Sequence, residues 1–321
     1  MNGPLLSVVV AVVDGGDALE RCLRALKSQH DAPRMEILVP CDPTLRAAES
    51  IVGSFAEGEP RIRIIRTASL HTRRSPSSAL GQHELIDRRR AAGLAAAQGE
   101  LVAMVEDRGV PRADWASSII RVHESQPSLA IGGAVENARD QLLNWAIYYC
   151  DFGRYQLPFS PGHRRYISDV NLTYKRRALQ LTRGTWRFRY HEPWVHRSLA
   201  LAGEELFVSP DIVVHESRDG LRLAAILRER CAWGLLFGTL RSQDAPLLRR
   251  LALAAATPVL PALLFARFLR DRLTRRTALG RILKVSPIVL LLLGIWTVGE
   301  ATGYLTPARW WQDGEAHTPQ R

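Results

Sequence analysis

Short apolar runs alternate with helix-like segments over the first 66 residues, and this alternation restricts the fold of the 321-residue chain most strongly. Residues 5–13, 35–39 and 61–65 are apolar and rich in β-branched side chains, which predicts three buried strands. The segments between them, residues 17–27 and 47–55, carry apolar side chains at helical spacing. A strand–helix–strand–helix–strand order predicts an α/β fold with a parallel sheet and right-handed crossovers.

A further apolar run, residues 101–105, leads without a spacer into Glu106 and Asp107. Arg108 and a Gly/Pro turn follow, so the acids stand where a strand opens into a loop. Ligands bind at this edge in open α/β sheets. Adjacent carboxylates repel each other unless a cation or a donor compensates, and a divalent cation carrying a nucleotide diphosphate would do so. The alternative is a polar loop that simply follows a core strand.

The remaining pattern extends the same layout as far as about residue 240. It predicts helices over residues 84–97, 115–124, 142–155, 191–202 and 221–240, and strands over residues 130–135, 169–174, 205–208 and 212–215. The last two strands are expected to form a closing pair on either side of Pro210. Pro193 suits the start of its helix, because its missing N–H is not needed there.

The net charge of +11 is compatible with nucleic acid, an anionic membrane surface or phosphate-bearing substrates as partners. We expect no nucleic-acid partner, because no zinc-finger spacing is present and the densest basic run lies between two apolar segments. The four cysteines are far apart and form no CxxC pair, which fits a reducing, cytosolic compartment. The N-terminus shows no basic region before its first apolar run, so we expect no signal peptide.

Two apolar segments near the C-terminus, residues 251–266 and 285–298, raise the question of a membrane. Sixteen helical residues span roughly 24 Å, which is less than a hydrocarbon core of about 30 Å. A first crossing would also place the Arg-rich connector, residues 267–284, outside the cytosol, against the positive-inside tendency. Three arrangements therefore stay open: two spans, helices that lie in the interface or dip in and return, and buried core helices of a soluble protein.

Five segments resemble glycosyltransferase family 2 proteins in their order and spacing. In chain order they are SVVVAVVDGGDALERCLRAL, MEILVPCDPT, RRRAAGLAAAQGELVAMVEDRGVPRADW, DVNLTYKRRAL and HEPWVHRSLALAGEELFVSPDIVVHE. The resemblance implies the GT-A fold, with a Rossmann-like, mostly parallel sheet, flanking helices and a C-terminal apolar helical pair, as in membrane-associated bacterial-type members. It predicts a catalytic domain over 1–220, a connecting helix over 221–248, a membrane-associated hairpin over 249–306 and a disordered tail over 307–321.

On the donor side, the resemblance implies that eight residues bind a nucleotide sugar: Asp14, Asp42, Arg90, Glu106, Asp107, Arg108, Arg228 and Arg230. Two positions depart from the family, since Cys41 replaces the first acid of its nucleobase pair and Arg108 replaces the third acid of its metal-binding motif. Arg108 cannot ligate a cation, but its guanidinium can pair with a diphosphate. The alternative for Arg88–Arg90 is a solvated helix face, and for Arg228 and Arg230 it is contact with the membrane.

The resemblance also implies a divalent cation, Mg²⁺ or Mn²⁺. It would rest on Asp107 alone or on Asp107 with His215, or be absent because of Arg108. A hydrogen-bonded structural histidine is the alternative for His215. Glu192 matches the general base of the family, which removes the proton of the acceptor hydroxyl. Asn171 matches the acceptor side. The alternative for Glu192 is an acid that merely stabilises a helix N-terminus.

These features together predict an inverting glycosyltransferase of the hexosyltransferase type. It would move a sugar from a nucleotide-diphosphate donor to a lipid-linked or cell-envelope polysaccharide acceptor at the inner membrane, with the catalytic domain in the cytosol. The absence of a QxxRW-type motif favours single over processive addition. The main alternative is a catalytically impaired protein of the same fold that binds nucleotide or serves as a scaffold, because Cys41 and Arg108 replace acids. A nucleotidyltransferase is disfavoured by the missing Gly-rich, Lys-bearing phosphate loop.

Overall fold

The computed structural model describes residues 3–59, 61–68, 70–275 and 277–306. These residues divide into two compact units. The first, called the sheet unit, is drawn from Met1–His71, His83–Ala138 and Tyr155–Asp219. The second, called the helical unit, is drawn from Thr72–Gln82, Arg139–Arg154 and Gly220–Arg321. The tail predicted over residues 307–321 lies outside the described residues.

A nine-stranded sheet forms the centre of the sheet unit. Its strands are β1 (Leu6–Ala11), β2 (Met35–Cys41), β3 (Ile62–Arg66), β4 (Leu101–Glu106), β5 (Gly109–Pro111), β6 (Ala130–Asn137), β7 (Gly162–Arg164), β8 (Asn171–Lys175) and β9 (Leu206–Glu216). They are joined in the order β3-β2-β1-β4-β8-β6-β9-β5, and β7 pairs with β9.

The first half of this sheet is parallel, as the alternation of strands and helices predicted. Strand β1 lies between β2 and β4, and β2 continues to β3, with all three pairs parallel. Beyond β4 the sheet is mixed, because β8 runs antiparallel to both of its neighbours, β4 and β6. Strands β6 and β9 are again parallel, so the antiparallel pairs are those made by β8 and by the short strands β5 and β7.

Helices cover the sheet and also make up the second unit. They are α1 (Gly16–Lys27), α2 (Arg46–Glu57), α3 (Ala79–Ala96), α4 (Trp115–Ser125), α5 (Leu142–Asp151), α6 (Arg176–Leu181), α7 (Arg183–Trp186), α8 (Glu192–Leu201), α9 (Leu223–Arg241), α10 (Leu247–Ala256), α11 (Leu260–Thr274) and α12 (Leu279–Leu305). Helix α1 buries Leu19, Cys22, Leu23 and Leu26 against a fully buried β1. The helical spacing of these residues in the sequence is the cause, because it places them on one face.

One predicted break in the sheet is absent. The pair of strands expected around Pro210 is a single strand, β9. Its register against β6 shifts, since Gly133 pairs with Ser209 whereas the next residue, Ala134, pairs with Val213. The intervening residues bulge, and the Ser209 hydroxyl accepts the main-chain N–H of Asp211 at 3.2 Å. A bulge absorbs extra residues while the strand continues on both sides, so a proline there does not end the strand.

In the helical unit, α9 and α12 lie with their backbones in contact. Each helix contributes two glycines four residues apart, Gly234 and Gly238 on α9 and Gly299 and Gly303 on α12. A Cβ added at any of the four would overlap a backbone oxygen of the other helix. Small residues at this spacing allow helices to approach closely, as is common in membrane helices.

Two helical segments are long and apolar enough to cross a membrane, Leu247–Thr274 with 28 residues and Leu279–Leu305 with 27 residues. The sequence estimate of sixteen residues was too short, because both helices continue beyond their apolar centres into charged residues. The first segment contains a 3₁₀ turn, Thr257–Val259, between α10 and α11; Pro258 lies in this turn and Pro261 in the first turn of α11. Length and composition permit a span, and a core helix of a soluble protein passes the same test.

Candidate active site

One edge of the sheet collects most of the predicted site residues. The carboxyl ends of β1, β2 and β4 meet there because these strands are parallel. Strand β8 runs the other way, so its first residue, Asn171, pairs with Val105 near the end of β4. The edge therefore gathers Asp42, Glu106 and Asp169 on the segments that leave or enter these strands.

Asp107 is fully buried and holds the loop that follows β1. Its carboxylate accepts the main-chain N–H groups of Val13 at 3.0 Å, Asp14 at 3.1 Å and Gly15 at 2.6 Å. Burial raises the pKa of Asp107, and these N–H donors oppose the rise. Gly15 and Gly16 adopt φ angles of 69° and 49°, a region that favours glycine. The donor-binding and metal-binding roles of Asp107 stay predictions.

Arg108 forms a two-point ion pair with Asp14. Its Nε and Nη2 lie 2.9 Å and 2.6 Å from the two carboxylate oxygens. Burial would lower the pKa of Arg108, but the contact with Asp14 raises it above the ordinary value, so the guanidinium stays charged. Both side chains are partly exposed, at 17% and 34%. A diphosphate that reached this position would meet a guanidinium already oriented by Asp14.

Arg90 connects carboxylates from three segments of the chain. Its Nη2 lies 2.6 Å from Glu106, and its Nη1 lies 2.7 Å from Asp169 and 3.6 Å from Asp87. Burial raises the pKa of Glu106, Arg90 opposes this, and Asp169 adds to it. The Arg90 side chain is only 3% exposed, so the alternative of a solvated helix face is wrong for this residue. The sequence analysis selected neither Asp87 nor Asp169.

Asp42 is held in place by a neighbouring arginine that the sequence analysis assigned no role of its own. One carboxylate oxygen accepts the N–H and the hydroxyl of Thr44 at 2.8 Å and 2.6 Å, and the other accepts Nε of Arg89 at 2.6 Å. Burial would raise the pKa of Asp42, but these donors lower it below its ordinary value. Cys41, which stands where the family that the sequence resembles has an acid, is buried, and this raises its pKa to about 11. The carboxyl end of β2 thus carries one anion rather than two.

Glu192 begins α8 and faces the loop that precedes β8. Its Oε2 accepts the main-chain N–H of Asp169 at 3.3 Å, and its Oε1 lies 3.5 Å from Nδ1 of His196. The Glu192 side chain is 21% exposed, whereas burial of His196 lowers its pKa to about 3. The imidazole is therefore neutral at pH 7. Asp169 connects Glu192 to Arg90, and Arg90 connects it to Glu106 at the end of β4.

Asn171 and His215 both lie on strands of the sheet. The Asn171 amide accepts Nε1–H of Trp115 at 2.9 Å and donates to the carbonyl oxygens of Ala134 and Ile212 at 2.8 Å and 2.9 Å. Both ends of this buried amide are thus engaged within the sheet unit, and its acceptor-side role stays a prediction. His215 lies half-buried on β9, and burial lowers its pKa.

Arg228 and Arg230 lie on α9 in the helical unit. Arg230 is buried and its Nη2 lies 2.5 Å from Oδ2 of Asp151 on α5. Arg228 donates from Nε to the carbonyl oxygen of Ala224 on its own helix at 3.3 Å. The ion pair gives Arg230 a structural role in its own unit, and the donor-binding role of both arginines stays a prediction.

His83, Asp87 and His191 form a group that could hold a metal ion, with ligand atoms within 4.8 Å of one another. Among the described residues, no other group of three or more potential ligands lies as close together, and this group includes neither Asp107 nor His215. The sequence analysis missed it because it started the helix at residue 84. The helix begins at Ala79, which places His83 and Asp87 one turn apart on one face.

Comparison with solved structures supports the fold class, whereas comparison of the sequence with known families and proteins gives no match. No protein-family model and no curated protein matches the sequence. The structure is similar to that of the mannosyltransferase PcManGT from Pyrobaculum calidifontis, solved with GDP-Man and Mn²⁺, at 16% identity and a TM-score of 0.52, covering 93% of this chain and 87% of that one. It is also similar to S. aureus TarS 1–349, at 12% identity and a TM-score of 0.50, covering 97% and 92%. The chain therefore has the α/β fold of known glycosyltransferase structures, which confirms the predicted fold class.

Proposed function

We propose that this chain is an inverting glycosyltransferase of the hexosyltransferase type, related to glycosyltransferase family 2. It moves a sugar from a nucleotide-diphosphate donor to a lipid-linked or cell-envelope polysaccharide acceptor. The fold it shares with a mannosyltransferase solved with GDP-Man supports a nucleotide-sugar donor. Both neighbours are less than 25% identical to the chain, so the activity rests mainly on the site residues.

The observation that carries the proposal is the position of Glu192. A partly exposed carboxylate stands at a helix start and is linked through Asp169 and Arg90 to Glu106 at the end of the central strand. This link supports the assignment of Glu192 as the base, because it runs to the strand end where α/β folds bind ligands. A carboxylate that only stabilised a helix N-terminus would need no such link.

The reaction follows from these positions. Glu192 takes the proton of the acceptor hydroxyl, and the acceptor oxygen forms a bond to the anomeric carbon of the donor sugar. The bond from that carbon to the diphosphate oxygen breaks, and the nucleotide diphosphate leaves with the electron pair. Attack on the face opposite the leaving group inverts the anomeric centre. Arg108, with its guanidinium held by Asp14, stabilises the charge that develops on the diphosphate.

A divalent cation, Mg²⁺ or Mn²⁺, is part of the proposal because the PcManGT structure contains Mn²⁺. The strand end fits such an ion poorly, since Asp107 already accepts three main-chain N–H groups and Arg108 brings a positive charge. We therefore assign no step of the reaction to an ion held by Asp107 and His215.

We further propose that the helical unit attaches the protein to the inner membrane, with the sheet unit in the cytosol. Few residues of Leu247–Thr274 are buried, so its apolar surface is available to lipid. The exposed basic residues of the 267–284 connector, Arg267, Arg270 and Lys284, would attract anionic head groups by about 1 kcal/mol each. Alkaline carbonate extraction tests this: the full-length chain should stay in the membrane pellet and leave it only in detergent, and release by carbonate would contradict insertion.

Donor binding and hydrolysis by the purified chain test the activity. UDP-, GDP- and dTDP-sugars are screened with and without Mn²⁺ or Mg²⁺. Glu192→Gln should lower turnover by about 10²–10⁴-fold while donor affinity is retained. Glu124→Gln, an exposed acid on α4, is the matched control and should leave turnover unchanged. Equal turnover in the Glu192→Gln variant and the unaltered chain would contradict the base assignment.

The second candidate is a protein of the same fold that binds nucleotide without turnover. The replacement of two family acids by Cys41 and Arg108 favours it. Donor binding without hydrolysis or transfer, even after addition of a membrane lipid extract as acceptor, would establish this alternative.

A further inference from the structure

Two helices of the sheet unit bring a carboxylate and two imidazoles together beside Glu192. His83 and Asp87 lie one turn apart on α3, and His191 immediately precedes α8. Oδ2 of Asp87 lies 3.6 Å from Nε2 of His83 and 3.7 Å from Nδ1 of His191. One carboxylate oxygen therefore faces both ring nitrogens.

These distances are close to the separations between neighbouring ligand atoms around a bound metal ion. Bonds of about 2.0–2.1 Å from Zn²⁺ to nitrogen and oxygen, at tetrahedral angles, separate neighbouring ligand atoms by about 3.3 Å. The two measured separations exceed this by only 0.3 to 0.4 Å, taking the distances of 3.6 Å and 3.7 Å. The three ligand atoms all lie within 4.8 Å of one another. Two histidines and one carboxylate are a ligand set that divalent transition metals favour.

We propose that His83, Asp87 and His191 bind a divalent transition metal of the zinc class, and that the ion fixes the start of α8 and so positions Glu192. The site is separate from the strand end at Glu106 and Asp107, where the sequence placed the cation. His191 and Glu192 are adjacent in the chain, so an ion that ties His191 to α3 restrains the base directly.

The charges around the group leave room for an ion. The network holds four carboxylates and two guanidiniums, from Asp87, Glu106, Asp169, Glu192, Arg90 and Arg189. Carboxylates outnumber guanidiniums in this set, so its charge favours a cation over a further anion.

Two arginines compete with an ion for Asp87: Arg90 approaches Oδ1 at 3.6 Å, and Arg189 approaches Oδ2. Nε of Arg189 lies 3.1 Å from the same oxygen, Oδ2, that faces the two histidines. A carboxylate oxygen has two lone pairs, so it can ligate an ion with one and accept Arg189 with the other. Carboxylates that ligate metals are commonly hydrogen-bonded in this way, which orients them. Arg189 is therefore compatible with a bound ion.

Metal binding by the full-length chain in detergent tests the proposal. The protein is stripped with a chelator and titrated with Co²⁺, whose visible absorption reports ligand geometry, and Zn²⁺ is then added as competitor. One Co²⁺ should bind per chain and be displaced by Zn²⁺. His83→Gln and His191→Gln should each weaken binding by more than about 100-fold, because loss of a ligand exceeds the 10–100-fold effect of losing a group that only orients one.

Two matched variants separate this site from others. His163→Gln changes an exposed histidine on β7, and His215→Gln changes the ligand that the sequence predicted at the strand end. Both should bind Co²⁺ as the unaltered chain does. The metal site is refuted if the unaltered chain binds no Co²⁺, if binding survives in both His83→Gln and His191→Gln, or if it is lost in His215→Gln.

Hydrogen exchange tests the positioning role without any substrate. Zn²⁺ should slow exchange in peptides that cover the start of α8 and leave α4 unchanged. Unaltered exchange at α8 with the ion bound would overturn this role. Neither measurement contains a nucleotide sugar, so its outcome is independent of the proposed transfer activity.

Discussion

Gly15 donates its main-chain N–H to the Asp107 carboxylate at 2.6 Å, across a sequence separation of 92 residues. The contact ties the loop after the first strand to the end of the central strand. The loop also carries Asp14, whose carboxylate orients Arg108. The candidate diphosphate contact therefore depends on a side chain that is itself wholly buried.

Asp107→Asn should destabilise the protein by about 1–3 kcal/mol, because the new NH₂ group faces N–H donors and leaves them unsatisfied. A lower melting temperature in detergent, with weaker donor binding, is the expected result. Asp114→Asn is the control, since Asp114 is 42% exposed and pairs with a partly exposed arginine. Its effect should stay within about 0.5 kcal/mol. Equal melting temperatures for the two variants would show that the Asp107 contacts contribute little.

Arg90→Met should destabilise the protein by about 3–5 kcal/mol, because it leaves the partly buried carboxylates of Glu106 and Asp169 without their buried counter-charge. Arg90→Lys keeps the charge, so its free energy of unfolding should lie between those of Arg90→Met and the unaltered chain. Chemical denaturation measures the differences. The control is Arg24→Met, which removes an exposed pair with Glu20 and should change stability by about 0–1 kcal/mol. If Arg90→Met matched Arg24→Met, the network would not be a stabilising element.

Acid should destabilise the fold through buried histidines. Burial and Lys175 lower the pKa of His123 from 6.5 to about 3, so the unfolded chain binds a proton between these values and the folded chain does not. Stability is therefore full above about pH 6.5 and falls on acidification by about 1.4 kcal/mol per pH unit for this residue. His123→Gln should flatten the dependence of melting temperature on pH between about 6.5 and 4.5. An unchanged slope, equal to that of the exposed-site control His30→Gln, would contradict the assignment.

Gly299→Ala should separate α9 from α12, because the added Cβ would overlap the carbonyl oxygen of Cys231. We expect a loss of about 1–3 kcal/mol, as for overpacked cores. Gly294→Ala is an unusually close control, since it lies on the same helix and its added Cβ meets nothing within 4 Å. It should be neutral or stabilising by up to about 1 kcal/mol through helix propensity. Protease resistance of the helical unit in detergent distinguishes the two, and equal resistance would argue against backbone contact.

Sequence patterns predicted the parallel half of the sheet and its helices well, because apolar periodicity is a local property of the chain. They failed where the outcome depends on distant partners. Arg88–Arg90 resembles a solvated basic run, yet Arg90 is buried by carboxylates from two other segments. Pro210 suggested a break in a strand, and a bulge against β6 absorbed it.

In the candidate site too, local features were predictable from the sequence and contacts between distant residues were not. Glu106 and Asp107 were evident as acids at a strand end, but their different surroundings were not. The polar stretch before residue 84 gave no helical periodicity, so the true start of α3 was missed, and with it the pairing of His83 and Asp87. Asp169 carried no signal of its own, because its position is defined only by its contacts with Arg90 and Glu192.

Three consecutive residues at the end of β4 face three different partners: Glu106 meets Arg90, Asp107 meets the loop at Gly15, and Arg108 meets Asp14. Inserting or deleting one residue here would shift the register, so that each side chain would face the partner that now belongs to its neighbour in the chain. It could, for example, bring a guanidinium against the N–H groups that now surround a carboxylate. This tripeptide should therefore tolerate changes in length far less than changes in side chain. In proteins that descend from this one, we expect the loops to vary in length and the spacing of these three positions to stay constant.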